Sequence, residues 1–137
     1  MHDTYKKGEL AHLKVEIRAL EKDFIVSYPT VEARFDMILT DQNGKSYRAQ
    51  VKYLNRENPK SQGSLFLDLR KETRNNGKKK TYSSEEIDVV LAYIATIDKI
   101  IWIGPELFHN TQSITFRLTP TTNNQKYGVR MVNNYLW

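Results

Sequence analysis

The residue types best able to do chemistry in this chain are a carboxylate, an amide and an amine at short spacing: Asp36, Gln50 and Lys52. A carboxylate ligates hard cations or accepts a proton, an amide oxygen ligates without adding charge, and an ammonium group answers negative charge. They act together only if the fold brings them to one side of one element. Cysteine is absent, which excludes disulfides and thiolate metal sites and leaves oxygen and imidazole as metal ligands.

A hairpin can bring them together. Phe35-Asp36-Met37-Ile38-Leu39 and the segment Ser46 to Tyr53 are rich in β-branched, aromatic and aliphatic residues, and Asp41-Gln42-Asn43-Gly44-Lys45 between them is turn chemistry. Two registers compete. A two-residue Asn43-Gly44 loop pairs Asp36 with Val51. A three-residue loop, a type I turn from Asp41 with Gly44 in the left-handed bulge position, pairs Asp41 with Lys45, Asp36 with Gln50 and Met37 with Ala49. Only the second keeps the faces consistent, with Phe35, Met37, Leu39, Tyr47, Ala49, Val51 and Tyr53 on one and Asp36, Arg48, Gln50 and Lys52 on the other. A slip of one residue exchanges the faces, so the three-residue loop is expected. Taken alone, the polar face is the solvated side of an amphipathic hairpin, and the rest of the chain must argue for more.

Around the hairpin, Leu10, Leu13, Ile17 and Leu20 recur at helical spacing and predict an amphipathic helix from Gly8 to about Lys22 with that stripe as its apolar face. A neighbouring row, Glu9, His12, Glu16 and Ala19, is a solvated flank unless the helix packs so that the row looks toward Asp36. Phe24 to Ser27 reads as a short strand and Asn55 to Gly63 as a polar loop. Ser64 to Arg70 reads as a strand with Leu65, Leu67 and Leu69 on one face, and Lys71 to Lys80 as a flexible basic loop. Ser83 and Glu86 stand at capping-box spacing and predict a second helix through Ile87, Val90, Leu91, Ile94 and Ala95 to about Asp98. Lys99 to Ile103, apolar on both faces, is a central buried strand, and Ser113 to Leu118 is a further strand. That order specifies an α+β fold, a mixed α/β sandwich whose central sheet is flanked by helices. The length of 137 residues is that of one domain.

Lys and Arg number 21 against 16 Asp and Glu, a net charge of +5 that favours a polyanionic partner. The excess is concentrated between Lys45 and Lys80, where Glu57, Asp68 and Glu72 are the only acids. No stretch approaches the roughly twenty apolar residues that cross a bilayer, and the amino terminus has no apolar signal core. A soluble, cytoplasmic protein is expected.

Lys7-Gly8 opening the first helix, Asp36 in one hairpin arm and Gln50-Val51-Lys52 in the other together resemble the PD-(D/E)XK nuclease superfamily. The branch they resemble contains Holliday-junction-resolvase-like enzymes and the group I intron-encoded homing endonucleases of bacteria. The Gln-Val-Lys form, followed by Glu86-Ile87-Asp88 and the Lys99 to Ile103 strand, is most similar to the intron group, and the similarity spans Lys6 to Leu118. The resemblance implies a restriction-endonuclease-like core and a single nuclease domain, 1–137, with DNA-binding loops and a C-terminal tail. It implies Mg²⁺-dependent, site-specific hydrolysis of phosphodiesters in double-stranded DNA, with Asp36, Gln50, Lys52 and Glu9 as catalytic residues. Asp36, the Gln50 amide and the Val51 carbonyl would hold Mg²⁺, or Mn²⁺ or Ca²⁺ in its place. Lys52 would orient or deprotonate the attacking water, and Glu9 would reach the metal shell through water.

For the DNA, the same resemblance implies phosphate contacts from Lys45, Arg48, Arg56, Lys60, Arg70, Arg74, Lys78, Lys79 and Lys80. Gln62, Ser64, Arg70 and Asn75 are candidates for the groove edges. Two positions depart from the family pattern: Gln50 stands where a second acid is usual, and Ala11-His12 occupy a helix turn that often carries an acid. Cutting two strands with one site per subunit implies a homodimer or tetramer, with Tyr135-Leu136-Trp137 or the Pro105 to Phe108 loop either contact surfaces or part of the core. The alternatives are a structure-selective junction resolvase and a catalytically inactive DNA-binding domain of the same fold.

Overall fold

The computed structural model describes residues 3–54, 63–73, 77–120 and 129–137. Its elements in chain order are α1 (Asp3–Glu21), β1 (Ile25–Ser27), β2 (Met37–Thr40), β3 (Ser46–Leu54), β4 (Ser64–Asp68), β5 (Arg70–Glu72), β6 (Lys79–Thr81), β7 (Val89–Ile94), β8 (Lys99–Ile103), α2 (Pro105–Phe108) and β9 (Ser113–Arg117), followed by a 3₁₀ turn at Val132–Asn134. The main sheet runs β1-β2-β3-β7-β8. β3 and β7 are parallel and the other neighbours antiparallel, so the sheet is mixed and the fold α+β. β4 with β9 and β5 with β6 form two small antiparallel pairs. Among the described residues no helix is long and apolar enough to cross a membrane.

The hairpin adopts the three-residue loop. Met37 lies opposite Ala49 and Leu39 opposite Tyr47. Asp41 N–H donates to the Lys45 carbonyl at 2.8 Å, and Gly44 N–H returns to the Asp41 carbonyl at 3.0 Å. Gly44 has φ +84°, the left-handed region a glycine enters without steric penalty. The Asp41 carboxylate accepts the N–H groups of Asn43 and Lys45, both at 2.9 Å, which fixes the turn from inside.

Each face of the main sheet buries its own core. On one, α1 sets Ala11, Val15 and Ala19 against Met37, Leu39, Ala49, Val51, Val89, Leu91 and Tyr93. On the other, Leu65, Leu67, Ile114 and Phe116 of the β4–β9 pair cover Leu54, Val90, Ala92, Ile94, Ile101 and Ile103, joined by Tyr82, Phe108 and Val132. The Met37-Leu39-Tyr47-Ala49-Val51-Tyr53 face thus lies under the helix. Phe35, expected with it, packs on the opposite cluster.

Three further expectations are overturned. The helix buries Ala11, Val15 and Ala19, and the stripe expected to face the core is solvent-facing, from Leu10 at 38% to Leu20 at 64% exposure. Small side chains let the helix approach the sheet closely, so packing distance outweighed hydrophobic bulk. The segment expected to be a second helix is strand β7. Ser83 and Glu86 do make the capping-box bond, Ser83 N–H to Glu86 Oε1 at 3.2 Å, but it closes only a turn. Six consecutive apolar residues follow, all buried; such a run satisfies helix and two-sided strand periodicity alike. The region from Lys71 to Lys80 carries the β5–β6 ladder rather than being loop throughout.

The two surfaces expected to mediate self-association are used within the chain. Trp102 N–H donates to the Tyr135 carbonyl and Trp137 N–H to the Ile100 carbonyl, the Trp137 ring packs on Phe24 and Trp102, and Phe108 is fully buried.

Candidate active site

The site lies where β2 parts from β3. The ladder ends at Met37–Ala49, and Asp36 N–H makes one more bond to the Ala49 carbonyl at 2.8 Å. The backbone then turns away, and the Asp36 carboxylate takes over: its Oδ2 accepts the Val51 N–H at 2.9 Å. A side chain thus completes the edge of β3 at the point where the neighbouring strand leaves it, which satisfies a donor that would otherwise be buried unpaired. Burial opposes ionisation of Asp36. The hydrogen bonds from His12 and from Val51 N–H, with the charges of His12 and Lys71, outweigh burial and hold the carboxyl below the usual carboxylate range.

Gln50 and Lys52 alternate with Ala49, Val51 and Tyr53 and so leave β3 on the face away from α1. Gln50 is 6% exposed. Its Nε2 donates to the Val51 carbonyl at 3.5 Å, and its Oε1 is buried without a hydrogen-bond partner. The Lys52 ammonium donates to the Arg70 carbonyl at 2.9 Å and lies 5.4 Å from the centre of the Tyr82 ring. Burial lowers its pKa from the ordinary lysine value, against the opposing charges of Asp68 and Asp36, while Lys71 and Lys79 lower it further. Asp36 and Lys52 are therefore coupled electrostatically across the edge of the sheet. The second acid near Lys52 is Asp68, bound by Arg70 at 3.0 Å and Lys79 at 3.2 Å.

On the helix side His12 is the group that reaches the site, its Nε2 3.5 Å from Asp36 Oδ2. The Asp36 hydrogen bond raises the His12 pKa from the ordinary histidine value against partial burial, helped by the charges of Asp36, Glu9 and Glu16. Of the row Glu9-His12-Glu16-Ala19, His12 is the member that meets Asp36; Glu9 is exposed and acts on His12 only through its charge. His12 and Tyr82 were absent from the expected site. The signal for His12 was that row; for Tyr82, an aromatic between a basic run and a capping motif, the sequence offered none.

A divalent cation fits the donor chemistry. No three His, Asp or Glu side chains converge among the described residues, so the Asp36 carboxylate must be joined by neutral oxygens. The unpartnered Gln50 Oε1 is such an oxygen, inside the protein, where an unmade bond is costly, and the Val51 carbonyl lies beside the same amide. Mg²⁺ retains several waters and needs few protein ligands.

The remaining expected DNA contacts divide. Lys45 sits at the hairpin tip over the Tyr47 ring at 5.0 Å, about 16 Å from Asp36 by five residues of extended strand. Arg48 is engaged by Asp88 at 2.9 Å and by the Glu85 carbonyl at 2.7 Å, which makes it a structural clamp between β3 and the start of β7. Ser64 is buried in the β4–β9 pair and does not face a groove. Arg70 and Lys79 share Asp68, and Lys80 reaches Glu86 at 3.7 Å, so these three charges are partly neutralised within the chain. Lys78, Lys79 and Lys80 are exposed at the β5–β6 hairpin. Arg56, Lys60, Gln62, Arg74 and Asn75 lie outside the described residues. A cleft of about 420 Å³ between α1 and the Trp137 end, lined in part by Lys14, Arg18 and Asp98, holds no member of the constellation.

The model of the PD-(D/E)XK endonuclease family matches residues 2–137. No curated protein matches the chain. Among solved structures it is similar to that of a bacterial homing endonuclease, I-Ssp6803I, with a TM-score of 0.74 at 22% identity over 98% of this chain and 89% of that one. At that identity the likeness speaks for the fold.

Proposed function

Because the chain belongs to the PD-(D/E)XK endonuclease family and is a DNA endonuclease, we propose that it cuts double-stranded DNA at a specific site, as an intron homing enzyme, with Mg²⁺ held by Asp36, Gln50 and the Val51 carbonyl. The observation that carries this reading is the Asp36 carboxylate seated on the Val51 N–H, beside Gln50 in the chain, whose amide oxygen is buried without a partner, with the charge of Asp36 acting on the desolvated Lys52. The likeness in fold to a bacterial homing endonuclease supports the homing assignment.

In the reaction a water oxygen bonds to phosphorus as one ester P–O bond breaks. The cation, when bound, supplies Lewis acidity at the phosphate. Asp36 anchors the negative side of the site and is kept ionised by its N–H and imidazole partners. Lys52, whose burial shifts it toward release of its proton, orients the attacking water and accepts a proton from it in the neutral form; as ammonium it answers charge on the pentavalent phosphorus. The Tyr82 ring and the Arg70 carbonyl fix its direction. The basic β5–β6 hairpin beside Lys52 supplies phosphate contacts.

Plasmid nicking in Mg²⁺ by wild type, Asp36→Ala and Lys52→Ala tests the chemistry, and undiminished nicking by the Asp36 variant rules it out. Comparing long linear DNA with a four-way junction separates site-specific cleavage from junction resolution. Two strands call for a second copy, and the row Leu10, Leu13, Ile17 and Leu20, apolar and solvent-facing on α1, suits a self-complementary helix contact. Leu13→Asp with Ile17→Asp is expected to reduce the molecular mass in solution by light scattering; an unchanged mass removes this surface.

A further inference from the structure

We propose that His12 is a direct cation ligand of this site and that it tilts the site toward Mn²⁺ and Co²⁺ relative to Mg²⁺. The inference rests on the metal-site reading above and assigns a nitrogen donor to it. The helix turn that faces Asp36 carries no carboxylate able to serve: Glu9 points to solvent, and Glu16 hydrogen-bonds Tyr28. His12 occupies the place instead. Because α1 packs through Ala11, Val15 and Ala19, its backbone lies close to the sheet, and the imidazole needs no long reach to meet the carboxylate.

The distance suits a shared ion. Two neighbouring donors on an octahedral cation, each about 2.1 Å from it, are about 3.0 Å apart. His12 Nε2 and Asp36 Oδ2 are 3.5 Å apart, both partly accessible, with side-chain exposures of 33% and 19%. An ion taken up between them would replace the 3.5 Å contact with one bond from each donor. The donor set then becomes one carboxylate oxygen, two neutral oxygens and one imidazole nitrogen. Nitrogen raises affinity along the first transition series from Mn²⁺ toward Co²⁺ and Ni²⁺ but does little for Mg²⁺. The contrary role for His12 is that of a cationic plug, holding Asp36 and competing with metal.

Cation binding to the intact protein separates the two, measured without DNA by calorimetry for Mg²⁺, Mn²⁺ and Co²⁺ and by the electron spin-echo spectrum of bound Mn²⁺. His12→Ala is expected to weaken Mn²⁺ and Co²⁺ by at least about tenfold, the scale on which even outer partners of a metal site count. It is expected to change Mg²⁺ far less, so the Co²⁺-to-Mg²⁺ preference falls. The spin-echo spectrum of wild type is expected to show a nitrogen coupling that His12→Gln, an oxygen donor of similar size, abolishes. Unchanged or tighter Mn²⁺ and Co²⁺ binding by His12→Ala, or no nitrogen coupling in wild type, overturns the assignment. Asp36→Ala keeps the premises apart. If it abolishes cation binding while His12→Ala does not weaken it, only the histidine role fails. If it leaves cation binding intact, the metal-site reading itself fails.

Discussion

The two faces of the main sheet are covered by opposite means. On the helix side the covering residues are small, Ala11, Val15 and Ala19; on the other they are large, with Phe108, Phe116 and Tyr82 all fully buried. Each solution suits what its face contributes to the site. Closeness lets an α1 side chain touch Asp36 and hold it ionised. On the other face the Tyr82 ring lies under the Lys52 ammonium, whose burial lowers its pKa. The pKa of the Asp36 carboxyl and that of the Lys52 amine are both lowered, the first by hydrogen bonds that outweigh burial and the second by burial itself.

The comparison can be broken by substitution, beginning with the site. Asp36→Ala removes the charge that both faces address, and plasmid cleavage is expected to fall about ten-thousandfold, near 5.5 kcal/mol of barrier; kinetics with folding checked by circular dichroism decide it. Phe116→Ala empties the bulky face and is expected to cost about 3–5 kcal/mol in urea unfolding. Ala19→Leu overfills the close-packed face and is expected to cost about 1–3 kcal/mol by the same measurement. Equal losses from truncation and enlargement on both faces would show that the two are packed alike.

The smallest effect concerns the clamp at the start of β3 and β7. The Arg48 hydrogen bond lowers the Asp88 pKa against modest burial, helped by Arg48 N–H and by charge. A carboxyl depressed on folding stabilises above its unfolded pKa, and that contribution is lost as pH falls through the folded value. Wild type should therefore lose more stability than Asp88→Asn on acidification from neutral pH through the carboxylate range. The difference should be about 1 kcal/mol or less, because the pair is about a third exposed on each side. Thermal melts across that pH range measure it.

The hairpin was legible in the sequence because two independent signals agreed: strict alternation in both arms, and a glycine at the one loop position that demands positive φ. The alternation did not extend to the end of the first arm: Phe35 packs on the cluster away from α1 and Asp36 meets His12 of α1, so the two residues before the ladder do not keep the faces expected of them. The segment from Ser83 to Ile94 was not legible, since a genuine capping turn preceded an unbroken apolar run with no preferred period, and only its burial on both faces makes it a strand. The helix was seen but its face was misjudged. Leu10, Leu13, Ile17 and Leu20 carry the greater hydrophobicity, yet the sheet accepted the side of the helix that could come nearest. His12 was hidden for the same reason, because its relevance depended on which face turned inward. Ser64 and Arg48 looked like surface polar groups, and only tertiary pairing shows that one is enclosed in a ladder and the other clamps two strands.

The bond from Val51 N–H to Asp36 Oδ2 has a consequence for how such a chain can vary in length. The two ends of the hairpin are not equivalent under insertion or deletion. Residues added in pairs beyond Thr40 and before Ser46 lengthen the tip past the last paired rung and leave the frame of the site untouched. One residue added between Arg34 and Met37 would slide backbone into the space the carboxylate fills, so the sheet would gain a rung and Val51 N–H would exchange its carboxylate for a carbonyl.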